Sequence, residues 1–441
     1  MIRLLTGDCR EVLKGLADES VHCVVTSPPY YGLRDYGTAK WEGGDAECDH
    51  RHQQGGEGAT SAKQNTSPGT QSIQYRDTCP RCGARRIDNQ IGLEPTPAEY
   101  IASLVAVFAE VKRVLHPTGV VFLNLGDSYA TSQAGNTTWG DGVGSNKHYQ
   151  DGKIALTKRS IPAGLKPKDL MMIPARVAIA LQDDGWWLRS EIVWAKKAPM
   201  PESVTDRCTR SHEMVYMLTK RASYYADMVA VQEDAVRPGD IQTFGGRKAR
   251  ESEIPSTDPR YRNGSEQWGR TIESGANGTR NCRDVWTLGP EPFRGAHFAT
   301  FPTELARRCI AMGTSERGAC PKCGAPWERA IERETGTPVS FNGSTFTHGK
   351  THAAQASRAA VGQGERTTSL RTTGWRPTCD CNAGDPIPCT VLDPFAGSGT
   401  VGLVCDRLGR DAILIDLNPE YSEMQRARVT ADAPLFAQVA E

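Results

Sequence analysis

Three groups of residues in this 441-residue chain have the types and spacing that chemistry requires. The first is Ser27-Pro28-Pro29-Tyr30, which follows the apolar run Val24-Val25. Two prolines fix φ and remove two N–H donors, so the carbonyls of this turn are rigid acceptors without internal partners, set beside a hydroxyl and an aromatic ring. The second group is Asp393-Pro394-Phe395-Ala396-Gly397-Ser398-Gly399-Thr400. Val391 and Leu392 read as a buried strand that Asp393 closes. Gly397 and Gly399 permit a tight turn, and a helix begins near Thr400 with its N-terminus open to the charged end of a ligand. The helical pattern stops at Gly409, and the apolar strand Ala412–Ile415 ends on Asp416. An acid there, roughly 20 residues after the glycine turn, can accept hydrogen bonds from ribose hydroxyls. The third group is seven of the fourteen cysteines. Cys79-Pro80-Arg81-Cys82-Gly83 and Cys320-Pro321-Lys322-Cys323-Gly324 repeat one pattern, two thiolates on a tight turn facing one ion. With Cys48 and His50 (His52 the alternate ligand) the first would make a Cys₃His site, and with Cys379 and Cys381 the second a Cys₄ site. Both predict structural zinc, because protein fills every ligand position and leaves none for an activated water.

The elements that must carry these groups read as an α/β chain. Strand Ile2–Leu5, the turn Gly7-Asp8, helix Arg10–Leu16 and strand Val21–Val25 open it, with Asp8 at a strand end where ligands collect. Pro97 begins a helix with apolar positions Ile101, Leu104, Val105, Phe108, Val111 and Leu115, followed by the strand Val120–Leu125. Helix Leu170–Leu181, strand Leu188–Ala195 and strand Glu213–Leu218 come next, the last two predicted as antiparallel edge strands on the far side of the sheet. A helix at Thr303–Met312, capped by Thr303, follows Phe298-Ala299-Thr300-Phe301-Pro302. The core is therefore predicted over 1–30, 91–129, 170–220, 285–313 and 385–430. Polar, Gly-rich insertions separate its pieces: a zinc-binding insertion at 31–90, a basic loop at 130–165, residues 221–284, and a second zinc ribbon at 314–384 with a mobile tip over 335–375. Net formal charge is +0, so non-specific electrostatics alone will not hold the chain on nucleic acid. From Ser145 to Arg176, however, seven lysines and arginines face two aspartates, a candidate phosphate-facing surface. No apolar run is long enough to span a bilayer and the first residues lack the length of a signal peptide, which predicts a cytoplasmic protein with reduced cysteines.

The Ser-Pro-Pro-Tyr turn taken together with the Asp-Pro-Phe-Ala-Gly-Ser-Gly turn resembles the amino-methyltransferases of DNA, and the base turn coming first with the cofactor turn last resembles their permuted β group. The resemblance implies a Rossmann-like, S-adenosylmethionine-dependent methyltransferase fold with a mostly parallel, doubly wound sheet in circularly permuted order, and double-stranded DNA as partner. It implies that Asp8 lies near the cofactor adenine, that Phe298, Thr300 and Pro302 pack against its methionine end, that Asp393, Phe395, Gly397, Gly399 and Thr400 hold its amino-acid end, and that Asp416 holds its ribose. Ser27, Pro28, Pro29 and Tyr30 would take a base swung out of the duplex. An exocyclic amine is a poor nucleophile while its lone pair is delocalised into the ring. The Ser27 hydroxyl and the Pro28 carbonyl, accepting from its two N–H bonds, would favour a tetrahedral nitrogen, while Tyr30 stacks on the base. Transfer would be direct, with no covalent enzyme intermediate and no catalytic metal. In this family Ser before Pro-Pro goes with N4 of cytosine and Asp with N6 of adenine, so Ser27 selects cytosine, with adenine the alternative. Trp194 and Lys196 match an aromatic and a lysine near the base pocket, and residues 221–284 match the target-recognition region, where Arg247, Arg260, Arg262 and Arg270 are candidate readers of guanine or phosphate. A restriction endonuclease as partner, and a monomeric or homodimeric enzyme, are both compatible.

Other readings use some of the same residues. Gly397-Ser398-Gly399-Thr400-Val401-Gly402 formally satisfies a dinucleotide fingerprint, but hydride transfer has no role for the Pro-Pro-Tyr turn. A non-catalytic zinc-ribbon nucleic-acid binder would need neither turn. A C5-cytosine methylase needs a Pro-Cys nucleophile, and Pro388-Cys389 lies before the cofactor strand instead of beside the base turn.

Overall fold

The computed structural model describes residues 1–32, 38–53, 72–74, 78–130, 161, 164–234, 279–291, 300–335, 368–432 and 439–440. The chain divides into two compact units, the first made of Met1–Ala226, Asp284–Pro326 and Cys379–Glu441, the second of Asp227–Arg283 and Trp327–Thr378.

The first unit is built on one sheet. Its strands are β1 (Ile2–Thr6), β2 (Val21–Thr26), β3 (Leu115–Leu125), β4 (Trp187–Lys196), β5 (His212–Thr219), β6 (Val285–Leu288), β7 (Thr390–Asp393), β8 (Asp411–Asp416) and β9 (Val439–Ala440). They lie in the order β6-β4-β5-β3-β2-β7-β8-β1-β9. Every neighbouring pair is parallel except the two that β5 makes, with β3 and with β4. The expectation of antiparallel edge strands is thereby corrected: β4 runs with the parallel majority, and the one reversed strand lies inside the sheet. Alternation of apolar residues is the same for either strand direction, so the pattern could not reveal this.

Strands β2, β3, β7 and β8 are apolar almost throughout because helices cover both faces. On one face pack the short helix α1 (Cys9–Val12), α2 (Pro97–Val114) and α3 (Ile173–Asp183); Leu13, just after α1, with Leu104, Phe108, Val177 and Leu181 shares a core with Val24, Val121, Leu392 and Ile413. On the other lie α4 (Thr303–Gly313), α5 (Thr400–Arg407) and α6 (Pro419–Asp432). Gly313 of α4 sits so close to Cys23, Val120 and Phe122 that a Cβ there would come within 2.6 Å of Cys23 Sγ. α2 begins as its sequence dictates: Thr96 Oγ1 accepts from the Glu99 N–H and the Glu99 carboxylate accepts from the Thr96 N–H, each at 3.2 Å, with Pro97 in the first turn. The capping expectation for α4 is corrected. Pro302 is the N-cap, Thr303 opens the helix, and the Glu291 carboxylate takes the Thr303 N–H (3.0 Å) and Oγ1–H (2.7 Å).

In the second unit an antiparallel hairpin pairs Trp327–Thr335 with Thr368–Pro377, so the end of the predicted 335–375 tip is a regular strand. Arg329 reaches Asp227 at 2.7 Å and lies over the Trp375 ring at 4.5 Å. Phe298, most of the basic loop at 130–165, the arginines at 247, 260, 262 and 270, and residues 336–367 lie outside the described residues. Among the described residues no helix is long and apolar enough to cross a membrane.

Candidate active site

β2 and β7 are direct parallel neighbours, with Cys23 opposite Val391 and Val24 opposite Leu392. The Pro-Pro turn and the glycine turn therefore leave adjacent strand ends on the same edge of the sheet, although hundreds of residues separate them in sequence. This is also where the chain changes direction across the sheet, the position at which doubly wound folds open a ligand crevice. A buried hydrogen bond ties the two ends together, Thr26 Oγ1 donating to Asp393 Oδ1 at 2.7 Å. Asp393 also accepts from the Phe395 N–H at 3.1 Å and is 1 % exposed. Burial pushes its carboxyl up to about 7 despite these two donors.

A cavity of about 500 Å³ opens at this edge, lined by Ser27, Pro28, Pro29 and Tyr30 on one side and by Phe395, Gly397, Thr400 and Asp416 on the other. Asp8 and Thr300 also line it; Asp393, Gly399 and Pro302 do not. Asp393 acts within the interior as the link between the two turns. Gly399 is the N-cap of α5 at φ +72°, and Pro302 caps α4.

The glycine turn is held from behind. Asp416 Oδ2 accepts from the Gly397 N–H at 2.8 Å and Oδ1 from the Asn418 N–H at 2.9 Å. Gln425 donates to the Gly397 carbonyl at 2.9 Å, and Arg428 donates to the Ser398 carbonyl (3.1 Å), Ser398 Oγ (2.9 Å) and Thr400 Oγ1 (2.9 Å). Gly397 (φ +50°) and Gly399 adopt left-handed backbone that residues with a Cβ rarely take. Burial raises Asp416 to about 6. Asp8, by contrast, is paired with Arg10 (2.6 Å) and caps α1 by accepting from the Arg10 N–H at 3.0 Å; these contacts hold its carboxyl below the usual range against the opposing cost of burial, which is the largest single influence.

The Pro-Pro turn is equally anchored. Tyr100 of α2 donates to the Pro29 carbonyl at 2.9 Å, whereas among the described residues the Pro28 carbonyl accepts no hydrogen bond. Ser27 Oγ donates to Asn124 Oδ1 at 3.3 Å, and the Asn124 amide is oriented by donating its own N–H to the Met214 carbonyl at 3.2 Å. Tyr30 donates its hydroxyl to Glu213 at 2.6 Å and lies 3.1 Å from Asn124 Oδ1. Lys196 ion-pairs with the other oxygen of Glu213 and sits 5.0 Å from the Trp194 ring; both Trp194 and Lys196 line the cavity. Asn124, Glu213, Gln425 and Arg428 were not singled out from sequence. A polar Asn inside the apolar run 120–125 was the one available signal; nothing distinguished the other three.

Both cysteine clusters assemble. Cys48, His50, Cys79 and Cys82 place their ligand atoms within 4.8 Å of one another, as do Cys320, Cys323, Cys379 and Cys381. Cys48 Sγ and Cys79 Sγ are 3.8 Å apart. Tetrahedral zinc with Zn–S of about 2.3 Å requires about that separation, so the donor set fits the ion. The two knuckles fold identically. Gly83 N–H donates to the Cys79 carbonyl (2.7 Å) and Cys79 N–H to Ala84 (2.8 Å), matched by Gly324 to Cys320 (2.9 Å) and Cys320 to Ala325 (2.8 Å). Backbone donors lower Cys82 to about 6 and Cys320 to about 7, whereas hydrogen bonds with the thiols of Cys323 and Cys379 push Cys381 up to about 12, and Cys48 and Cys379 are also raised. The second knuckle seats on the sheet. His22 accepts from the Thr390 N–H through Nδ1 (2.9 Å), which leaves Nε2–H to donate to the Gly324 carbonyl (3.1 Å), and His116 Nε2 lies 3.1 Å from the Cys323 carbonyl.

Against known proteins, the sequence model of a DNA methylase family matches residues 21–320 and 389–427. The chain belongs to this DNA methylase family. It is 32% identical over 429 residues to the type II methyltransferase M.Cfr9I of Citrobacter freundii, covering 97% of this chain and 88% of that one. It is 34% identical over 426 residues to the type II methyltransferase M.XycI of Xanthomonas campestris pv. cyanopsidis, covering 97% and 87%. Among solved structures, PvuII DNA methyltransferase (cytosine-N4-specific) aligns over 99% of this chain and 94% of its own with a TM-score of 0.44 and 14% identity. The protein is thus a DNA methyltransferase that uses S-adenosylmethionine. Asp416, Asp8 and Glu291 line the cavity beside the apolar surfaces of Phe395, Pro394 and Phe301.

Proposed function

We propose that this DNA methyltransferase modifies N4 of cytosine in double-stranded DNA, with the base extruded into the part of the cavity lined by Ser27–Tyr30. The observation that carries this reading is the Ser27 hydroxyl, whose proton is directed inward, with Asn124 Oδ1 at 3.3 Å and Tyr30 Oη at 3.4 Å as its acceptors, so that its lone pairs are left for an amine N–H. The Pro28 carbonyl is a second, rigid acceptor. Two acceptors on one exocyclic nitrogen withdraw it from ring conjugation and restore its nucleophilicity. Tyr30, anchored at its hydroxyl, offers its ring as a stacking surface, and Trp194 with Lys196 borders the same space. Bound S-adenosylmethionine supplies an electrophilic methyl group. Asp416 and the turn at Gly397–Thr400 hold it, with Phe395 beside its apolar part, and Thr26–Asp393 keeps the two turns in register so that rate comes mainly from alignment. The choice of cytosine over adenine rests on Ser27 standing where adenine enzymes of the resembling family carry Asp.

The two cysteine clusters are structural zinc sites in this reading, and a restriction endonuclease of the same specificity is the genetic partner, as expected for relatives described as type II methyltransferases. The test is to express the chain in a host free of cytosine and adenine amino-methylation and sequence its DNA by a method that separates N4-methylcytosine from N6-methyladenine. N4-methylcytosine at one motif is the expected result, and N6-methyladenine alone refutes the base assignment. Ser27→Ala is expected to bind the cofactor normally and to lose turnover; loss of both together would argue against the role given to Ser27.

A further inference from the structure

Methylating an amine leaves one proton too many on nitrogen, and that proton must go to a group able to keep it. Ser27 is the nearest side-chain acceptor in the proposed geometry, but an alcohol cannot hold a second proton at neutral pH. Its partner Asn124 is no better, because an amide is not a base there. Ser27 Oγ also lies 3.4 Å from Tyr30 Oη, and Tyr30 donates at 2.6 Å to Glu213 Oε2. Lys196 ion-pairs with Glu213 Oε1. Among the described residues, Glu213 is the carboxylate that these hydrogen bonds connect to Ser27.

We infer that Glu213, acting through Tyr30, is the terminal proton acceptor of the methylation reaction. This rests on the function proposed above. As the nitrogen–methyl bond forms, the amine N–H bond breaks and its proton passes to Ser27 Oγ. The Ser27 proton moves to Tyr30 Oη, and the Tyr30 proton to Glu213 Oε2. Ser27 and Tyr30 end as they began, Glu213 is a neutral acid, and solvent takes the proton after product leaves. Every hydroxyl gives one proton and receives one. Burial, with the Glu213 charge behind it, pushes the Tyr30 phenol well above its ordinary range, so it relays a proton without resting as phenolate. The 3.4 Å gap is at the long end of hydrogen bonding, as is usual before a substrate closes a site. Glu213, which lines the cavity beside Tyr30, is accordingly a proton-holding residue that acts through Tyr30, and Tyr30 has two separable duties, its ring for the base and its hydroxyl for the proton.

Tyr30→Phe keeps the ring and deletes the relay, and Glu213→Gln keeps the shape and deletes the acceptor. With a duplex containing the motif methylated by the wild type, each is expected to slow single-turnover methylation by about 10²-fold. A 2-aminopurine at the target position reports extrusion, and that signal, with the DNA dissociation constant, is expected to stay within about threefold of wild type, because these steps need only the ring. The double variant is expected to be no slower than the slower single variant, since both break one chain. Wild-type rates in either variant, losses that multiply in the double, or rate losses matched by equal loss of extrusion would each overturn the relay. Methylation of an exocyclic amine by the wild type keeps the functional reading whatever the variants do; its absence refutes that reading, and the relay with it.

Discussion

Gly126 follows β3 and faces the Tyr30 ring, which makes Gly126→Ala a direct measure of how firmly that ring is held. An added Cβ would stand 2.4 Å from Tyr30 Cε2, 2.8 Å from Cδ2 and 3.2 Å from Cζ, where ordinary contact begins at 3.4 Å. The ring must retreat by about 1 Å, and Gly126 has no left-handed φ to add strain of its own. A ring that moves as a body carries its hydroxyl along, so the 2.6 Å bond to Glu213 stretches out of hydrogen-bond range while Lys196 keeps Glu213 in place. Losing one hydrogen bond to a charged group costs about 1.5–3 kcal/mol. Gly126→Ala is therefore expected to lower the melting temperature and to slow methylation by about tenfold or more, while cofactor affinity, set around Gly397 and Asp416, is unchanged. Thermal denaturation, calorimetric titration with S-adenosylmethionine and single-turnover methylation measure the three quantities. Combined with Tyr30→Phe, whose ring has no hydroxyl anchor to lose, the alanine should cost less stability than it does alone. A Gly126→Ala enzyme that melts and turns over like wild type, or stability losses that simply add in the double variant, would refute the picture of a pinned ring.

Three further outcomes are expected. Because burial raises Asp393 from 3.8 to about 7, the folded state binds its proton more tightly than the unfolded state, and stability from this group falls as pH rises from about 4 through 7. Asp393→Asn should accordingly be more stable than wild type at pH 8, by at most about 4 kcal/mol, with the gain shrinking toward pH 4 in denaturant titrations; a gain that grows on acidification would contradict the sign. Asp416→Ala removes the acceptor that fixes Gly397 and Asn418, and calorimetry should find cofactor binding weaker by about tenfold or more with folding retained; unchanged affinity would remove Asp416 from the cofactor site. Elemental analysis should find two zinc ions per chain, one after Cys323→Ser, and the single-site variant should melt earlier because the Cys323 and Gly324 carbonyls dock on His116 and His22; no zinc in freshly purified protein would exclude both sites.

The turns were legible because their conformations are dictated locally. Pro28 and Pro29 fix their own φ, Gly397 and Gly399 admit backbone that other residues avoid, and a Cys-Pro-basic-Cys-Gly run closes its own hydrogen bonds. The apolar strands and α2, which Pro97 opens, were legible for the same reason. What could not be read are relations between distant residues. Asn124 lies 97 positions from Ser27, Glu213 183 from Tyr30, and Asp393 367 from Thr26, and no local pattern couples them. Asp393 shows the same limit: its place at a strand end was evident, but its bond to Thr26 inside the sheet depended on β2 becoming the neighbour of β7. The reversed course of β5 is a second case, and it matters because it brings Glu213, at the start of that strand, to the edge where the other strands end.

The amino-acid sequence by itself determined two acceptor-bearing turns, the strands and helices of an α/β framework and two paired-cysteine knuckles, since steric limits on φ and the burial preference of apolar side chains act over a few residues. Tertiary structure alone decided that the turns share one cavity and that a serine, a tyrosine and a glutamate form one hydrogen-bonded line. Strand order and direction are set by how whole layers bury their faces, and that free energy belongs to the assembled sheet, not to any stretch of chain.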